Sequence, residues 1–285
     1  MVQTVWFDAG PALPGRLLLV LHHLVVDGVS WRILLPDLAS AAAAVAADRP
    51  VDLAPVHTSF RRWAELLVEQ AQEPKRIAET AWWEQVLDSP SVKLADRPPQ
   101  ATDTTRSLTM TIPPERAVSL LSDVPAAFHA GVNDVLLTAL AVAVMGWNHQ
   151  RGRTGAALLV DVEGHGRDEF VAGVDVSRTV GWFTSLFPVR VDLRNIDLDQ
   201  ALAGGSAAGQ ALKTVKEQLR AVPDHGLGYG LVRYLNPQTR TRLSNLAAPQ
   251  VGFNYLGRFT AADTGQWAVA DEADALFEPA DAALP

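Results

Sequence analysis

The sequence predicts an α/β sandwich, and three observations lead there. Short apolar runs ended by turn residues, such as Arg16 to His22 (RLLLVLH), have the length and pattern of buried strands. Longer stretches, above all Asn133 to Trp147, stay apolar over the length of a core helix. The two kinds of element mix along the chain without the regular strand–helix alternation of a doubly wound sheet. At 285 residues the chain can bury a substantial core, as one large domain or two smaller ones.

Taken in order, the first strand, Arg16 to His22, stops at the pair His22-His23, and Asp27-Gly28 marks a turn shortly after. Trp31 to Ala47 is helical by composition, with Pro36 either opening or bending the helix. Ser59 to Gln72 and Lys75 to Leu87 read as amphipathic helices. Ser59 is placed to cap the former, with Phe60, Trp63, Leu66 and Leu67 on one face. From Asp88 to Thr105 the chain is rich in Pro, Asp and Thr, a loop crossing between two halves. Arg106 to Ile112 alternates, Leu108, Met110 and Ile112 against Ser107, Thr109 and Thr111, which predicts a half-buried strand. Pro113-Pro114 starts a helix to Ser122, and the helix Asn133 to Trp147 follows. Ala156 to Val162, Leu186 to Leu193 and Val251 to Leu256 complete the strands. No internal repeat or low-complexity tail is present.

Composition excludes several classes of function. A net charge of -8 and a pI near 5.3 argue against a nucleic-acid partner, which requires clustered Lys and Arg. With no cysteine, disulfides, thiolate metal sites and a cysteine nucleophile are all ruled out. The N-terminal residues lack the basic and apolar regions of a signal peptide. The longest apolar stretch, Val135 to Trp147, falls short of the roughly 20 residues a membrane-spanning helix needs. A cytoplasmic protein is expected.

Two segments could carry chemistry. In the first, His22-His23-Leu-Val-Val-Asp27-Gly28, two histidines end an apolar strand, where an imidazole must find hydrogen-bond partners or face a cavity. Strand alternation would send the two rings to opposite faces, and Asp27 could anchor the turn through a backbone or Arg contact. The plain alternative is a pair of satisfied core histidines. In the second, Asp161-Val-Glu163-Gly-His165-Gly-Arg167, a loop opens at a strand end, and its glycines let the backbone approach a ligand closely. Here the plain alternative is a solvated turn. Glu163 and His165 are too few ligands for a metal, and only the addition of His22 and His23 would make one conceivable, so no metal is expected. The glycines at 226 to 230 lack the Lys-Ser/Thr and the strand–loop–helix setting of a phosphate loop. Asn254 and Tyr255 are polar residues in an otherwise apolar strand, and alternation would let one of them line a cavity.

In this order, these segments resemble the condensation-domain superfamily of nonribosomal peptide synthetases. His22 to Gly28 matches the HHxxxDG signature, which condensation and epimerization domains share. EGHGR at 163 to 167, RTVGWFT at 178 to 184, PDHGLGYG at 223 to 230 and FNYLG at 253 to 257 all resemble the epimerization branch. The resemblance implies a chloramphenicol-acetyltransferase-like sandwich of two lobes. Residues 1–95 would be the remainder of an N-terminal lobe carrying HHxxxDG, and residues 96–285 the C-terminal lobe carrying EGHGR and FNYLG. Family members place a sizeable segment before the double histidine, whereas 21 residues precede it here, and the end at Leu284 and Pro285 is early by comparison. An incomplete N-terminal lobe is therefore expected.

The resemblance also implies a function: inversion of the α-carbon of an aminoacyl or peptidyl thioester, in the biosynthesis of peptides such as antibiotics. The substrate would arrive on the phosphopantetheine arm of a peptidyl carrier protein. Neighbouring synthetase modules would be the other partners, and no metal, pyridoxal phosphate or nicotinamide of its own would be required. Glu163 and His23 match the family's catalytic positions and suit the two proton transfers. A carboxylate shielded from water becomes a stronger base, while His23 would serve as partner acid or oxyanion donor. Asn254 and Tyr255 would hydrogen-bond the substrate or the enolate, and His22, Asp27, Gly28 and Arg167 would support the site. Two alternatives stay open: a condensation domain, in which His23 would assist attack of an amine on a thioester, and an inactive remnant that docks a carrier protein.

Overall fold

The computed structural model describes residues 1–95, 104–168, 171–258, 267 and 270. By their packing these fall into two compact units. One is Met1–Phe60 with Val171–Phe183 and the described residues from Leu256 on; the other is Arg61–Phe170 with Thr184–Tyr255. The lobes expected from the sequence are contiguous stretches, whereas each packing unit is assembled from separated segments. The reason is visible in the core: Trp83 and Leu87 bury themselves in the same apolar cluster as Leu137, Leu158 and Val191.

In the first unit, β1 (Val2–Phe7) and β2 (Arg16–Leu21) form an antiparallel hairpin, with Val2 opposite Leu21 and Phe7 opposite Arg16. The turn between them is fixed by the Asp8 carboxylate, which accepts the Gly10 N–H at 2.8 Å. A single 3-10 turn, His23–Val25, separates β2 from α1 (Gly28–Ala46). Pro36 lies inside α1 rather than at its start, since the helix is already opened by the Asp27 cap well before it. By length and composition α1 is apolar enough to match a membrane span, with a mean hydropathy of 1.3, a property missed when only 135–147 is considered. Its Asp37 is nonetheless engaged by Arg178 of the same unit at 2.6 Å.

The second unit opens with α2 (Phe60–Gln70), which buries Trp63 and Leu66 as its spacing predicts. Two short helices, α3 (Pro74–Ala78) and α4 (Thr80–Asp88), replace the single helix expected there, and Trp83 of α4 is fully buried. Residues 106–112 form no strand, contrary to expectation. Leu108 and Met110 stand 89% and 81% exposed, and no neighbouring strand among the described residues accepts the segment's backbone hydrogen bonds. Alternation gives a strand only where a sheet edge is offered to it. α5 (Pro114–Val118) runs through a π-turn into α6 (Val124–Phe128), and α7 (Val132–Gln150) follows, with the Asp134 carboxylate accepting the Gly131 N–H at 2.7 Å.

The sheet of this unit has the order β4–β3–β5, where β3 is Ala157–Gly164, β4 is Ser185–Asp192 and β5 is Val251–Phe253. β3 pairs antiparallel with β4, Glu163 opposite Leu186, and parallel with β5, Asp161 opposite Gly252. Leu158, Val160 and Val162 on one face of β3 are almost wholly buried, in one apolar cluster with Leu137, Ala141 and Met145 of α7. Between β4 and β5 come α8 (Leu198–Leu202), α9 (Ser206–Arg220), α10 (Leu227–Gly230) and α11 (Pro237–Ser244). α9 supplies Ala207, Ala211 and Val215 to the core, and its spacing of buried residues is that of an amphipathic helix.

Candidate active site

His22 and His23 do not sit on a strand, so strand alternation does not separate them. β2 ends at Leu21, and His22 caps the 3-10 turn: its Nδ1 accepts the Leu24 N–H at 3.1 Å. When neutral, that ring therefore carries its proton on Nε2. His23, the first residue of the turn, is exposed, and its ring meets Trp182 edge-on with centroids 5.3 Å apart. Neither histidine is a satisfied core residue.

Asp27 is 3% exposed and engaged three times over. Its Oδ1 accepts both the Ser30 N–H at 2.7 Å and the Ser30 hydroxyl at 2.8 Å, and its Oδ2 accepts the Phe183 N–H at 3.1 Å. The backbone contact expected of Asp27 is thus present, and Ser30 adds a side-chain donor. The Ser30 hydroxyl also accepts the Gly181 N–H at 3.1 Å, and the Gly181 carbonyl lies 3.0 Å from it, so that its single proton is shared between that carbonyl and the Asp27 carboxylate. With the Arg178–Asp37 ion pair, these bonds fix the 178–183 segment to α1, and with it the Trp182 ring beside His23. Gly28 is the first residue of α1, with open space where a Cβ would stand. Sequence reasoning missed Ser30 and Trp182, because nothing local in the chain marks the pairing of 30 with 181 or of 182 with 23.

In the second unit, Glu163 is not on a loop. β3 runs two residues further than expected, so Glu163 is a strand residue, half-buried and paired in register with Leu186. β5, by contrast, is shorter than expected and ends at Phe253, leaving Asn254 and Tyr255 beyond the ladder. The Asn254 side chain returns to donate from Nδ2 to Glu163 Oε2 at 2.5 Å. The two residues are brought together by the parallel β3–β5 register, which sets Phe253 opposite Val162. Tyr255 is half-buried. After Glu163 the chain turns at Gly164 and Gly166, the latter at φ +64°, and the His165 Nδ1 accepts the Arg167 N–H at 3.0 Å. Asp168 stands 3.4 Å from His225 Nδ1 and 3.9 Å from His165 Nε2.

Asp161 shares the Glu163 face of β3, two residues back along the strand. Burial pushes its carboxyl up to about 6 from an ordinary 3.8. The signal that could have found it was present, since a carboxylate at i−2 on a strand must face the same way as Glu163. The PDHG turn at 223–226 is held in left-handed backbone, with φ of +40°, +50° and +86° at Asp224, His225 and Gly226. Arg76, almost wholly buried, pins this turn through Asp224 at 2.7 Å while also pairing with Glu79 at 2.8 Å. No group of three or more His, Asp or Glu side chains among the described residues could hold a metal ion.

A family model described as Condensation domain matches residues 14–277. The chain belongs to the condensation-domain family. Among curated relatives of this condensation-family chain, chondramide synthase cmdD of Chondromyces crocatus is 42% identical over 260 residues, 88% of this chain and 6% of that protein. Tyrocidine synthase 1 of Brevibacillus parabrevis is 34% identical over 251 residues, 86% of this chain and 22% of that protein. Among solved structures, the epimerization domain from the third module of tyrocidine synthetase B aligns with a TM-score of 0.72 at 33% identity, covering 90% of this chain and 55% of that one. The first condensation domain of the CDA synthetase aligns at 0.58 with 20% identity, a likeness of fold alone, covering 93% of this chain and 52% of that one. The condensation-family chain thus has the α/β, chloramphenicol-acetyltransferase-like fold expected for it, and spans about half of the solved domains it matches.

Proposed function

We propose that this chain carries an epimerization site, which inverts the α-carbon of a carrier-bound aminoacyl or peptidyl thioester. The observation that carries the reading is the Glu163–Asn254 pair: a carboxylate on a rigid central strand, one oxygen held by an amide donor, the other left to meet a substrate. The greater likeness to a solved epimerization domain, at 33% identity against 20% for a condensation domain, supports it.

The reaction follows from the chemistry of a thioester. Glu163 removes the α-proton, the electron pair moves onto the thioester carbonyl, and the resulting enolate is reprotonated on its opposite face. In this reading His23 is the second proton-transfer group, the roles of the two exchange in the reverse direction, and Tyr255 joins Asn254 as a candidate donor to substrate or enolate. His22, Asp27, Gly28 and Arg167 support the backbone that presents these groups. The electron sink is the substrate's own carbonyl, so the step requires no cofactor of the protein, and the substrate is presented on the phosphopantetheine arm of a carrier protein from a neighbouring synthetase module.

The test is incubation of the chain with a carrier protein loaded with an L-aminoacyl thioester in deuterated buffer, followed by reading label and chirality at the α-carbon. The expected result is deuterium entry and a mixture of configurations, both abolished by Glu163→Gln. Unchanged exchange in that variant would overturn the role. The family match by itself fits peptide-bond formation equally; a product formed only when an amine acceptor is supplied, without inversion, would establish that second reading. Carrier binding with neither reaction would establish a docking remnant.

A further inference from the structure

The Glu163 face of β3 holds a second carboxylate whose position the proton transfers above do not use. Asp161 and Glu163 are two residues apart on one strand, so their side chains share a face, with Cα atoms about 6.5–7 Å apart. Asp161 is half-buried, yet among the described residues it makes no hydrogen bond and no ion pair. Its neighbours across the ladder explain why. On β4 it faces Pro188, whose side chain carries no donor, and on β5 it faces Gly252, which has no side chain. A Cβ at Gly252 would meet nothing within 4 Å, so the space beside the Asp161 carboxyl is open. A half-buried carboxylate left without a donor costs stability, and such costs are characteristic of functional positions.

We infer that Asp161 receives the α-ammonium group of the substrate, so that the site selects aminoacyl thioesters with a free amine over N-acylated, peptidyl ones. The inference rests on the epimerization reading of Glu163. In an aminoacyl thioester the α-nitrogen is bonded directly to the carbon that loses its proton. A group two residues along the strand from the base therefore meets the nitrogen when the base meets the α-hydrogen. An ammonium offers several charged N–H donors to the carboxylate, whereas an acylated nitrogen offers one neutral N–H. Keeping that nitrogen protonated also assists the chemistry, because a cation next to the α-carbon stabilises the enolate. Burial that raises the Asp161 carboxyl is offset by the ammonium itself.

The experiment compares α-proton exchange for two carrier-bound substrates, an L-aminoacyl thioester and its N-acetyl counterpart, in the unmutated chain, Asp161→Asn and Gly252→Val. The unmutated chain should favour the free amine. Asp161→Asn should lower kcat/KM for the free-amine substrate by about 10- to 100-fold, the loss expected from one charge-assisted hydrogen bond, mainly through KM. The N-acetyl substrate should change by less than about twofold. Gly252→Val, which fills the space beside the carboxyl, should lower exchange for both substrates, the bulkier N-acetyl one at least as much. Equal effects of Asp161→Asn on the two substrates, or no effect of it on either, would overturn the inference while leaving the epimerization reading intact. Absence of exchange by the unmutated chain on either substrate would instead remove that reading, and this inference with it.

Discussion

Asp161→Asn should stabilise the fold at neutral pH and do almost nothing in acid. The carboxyl is raised from 3.8 to about 6 by burial, so the folded state binds its proton more tightly than the unfolded chain does. The stability that Asp161 contributes is therefore present below pH 3.8 and lost as pH rises through about 6. Taken at face value, a rise of that size corresponds to about 3 kcal/mol at pH 7.5. Asp161 is only half-buried, so solvent screening reduces this to about 1–1.5 kcal/mol. An isosteric amide removes the charge and keeps the shape. Urea unfolding of both proteins at pH 4.0 and pH 7.5 is the assay. The variant should be more stable by about 1–1.5 kcal/mol at the higher pH and within about 0.5 kcal/mol at the lower. A difference that is the same at both pH values, or a variant that is less stable at pH 7.5, would refute the argument. Stabilisation coupled to loss of free-amine selectivity would be the signature of a residue retained for function.

Two structural predictions follow from the elements that frame the site. Asp27→Ala removes a helix cap and leaves the Ser30 and Phe183 N–H groups without their acceptor, and should cost about 2–4 kcal/mol, read by unfolding and by faster amide exchange at Phe183. A loss below about 1 kcal/mol would show that the 178–183 segment is held in some other way. Gly226→Ala drives a methyl into the Phe187 ring at a backbone φ of +86°, and should cost about 2–4 kcal/mol in the same unfolding assay. An unchanged midpoint would mean that the PDHG turn relaxes freely, against the anchoring of Asp224 by Arg76.

The strand at 16–21, the core strands β3 and β4, and the long helices α1 and α7 were legible within a residue or two or three at each end, because apolar periodicity acts over a single element. Where that logic failed, a partner was the missing term. Arg106 to Ile112 alternates as a strand should, but no sheet edge among the described residues takes it up. β1 went unread because its six residues gain strand form only from pairing with β2. The glycines at 226–230, in which the sequence offered no phosphate loop, carry a helical turn at Leu227–Gly230 that Gly226 opens from left-handed backbone against Phe187.

The site divides in the same way. The sequence alone determined the family-bearing segments, the absence of thiol chemistry, and the candidates His23, Glu163 and Asn254, since each depends on residue type and near neighbours. Tertiary structure decided that Asn254 holds Glu163 from 91 positions away, that Trp182 stands against His23, and that Asp161 faces a glycine and a proline with no donor. These outcomes depend on sheet register and on which segments pack together. Register is a property of two strands at once: alternation within one strand fixes which face it buries, but which residue it meets depends on the partner strand.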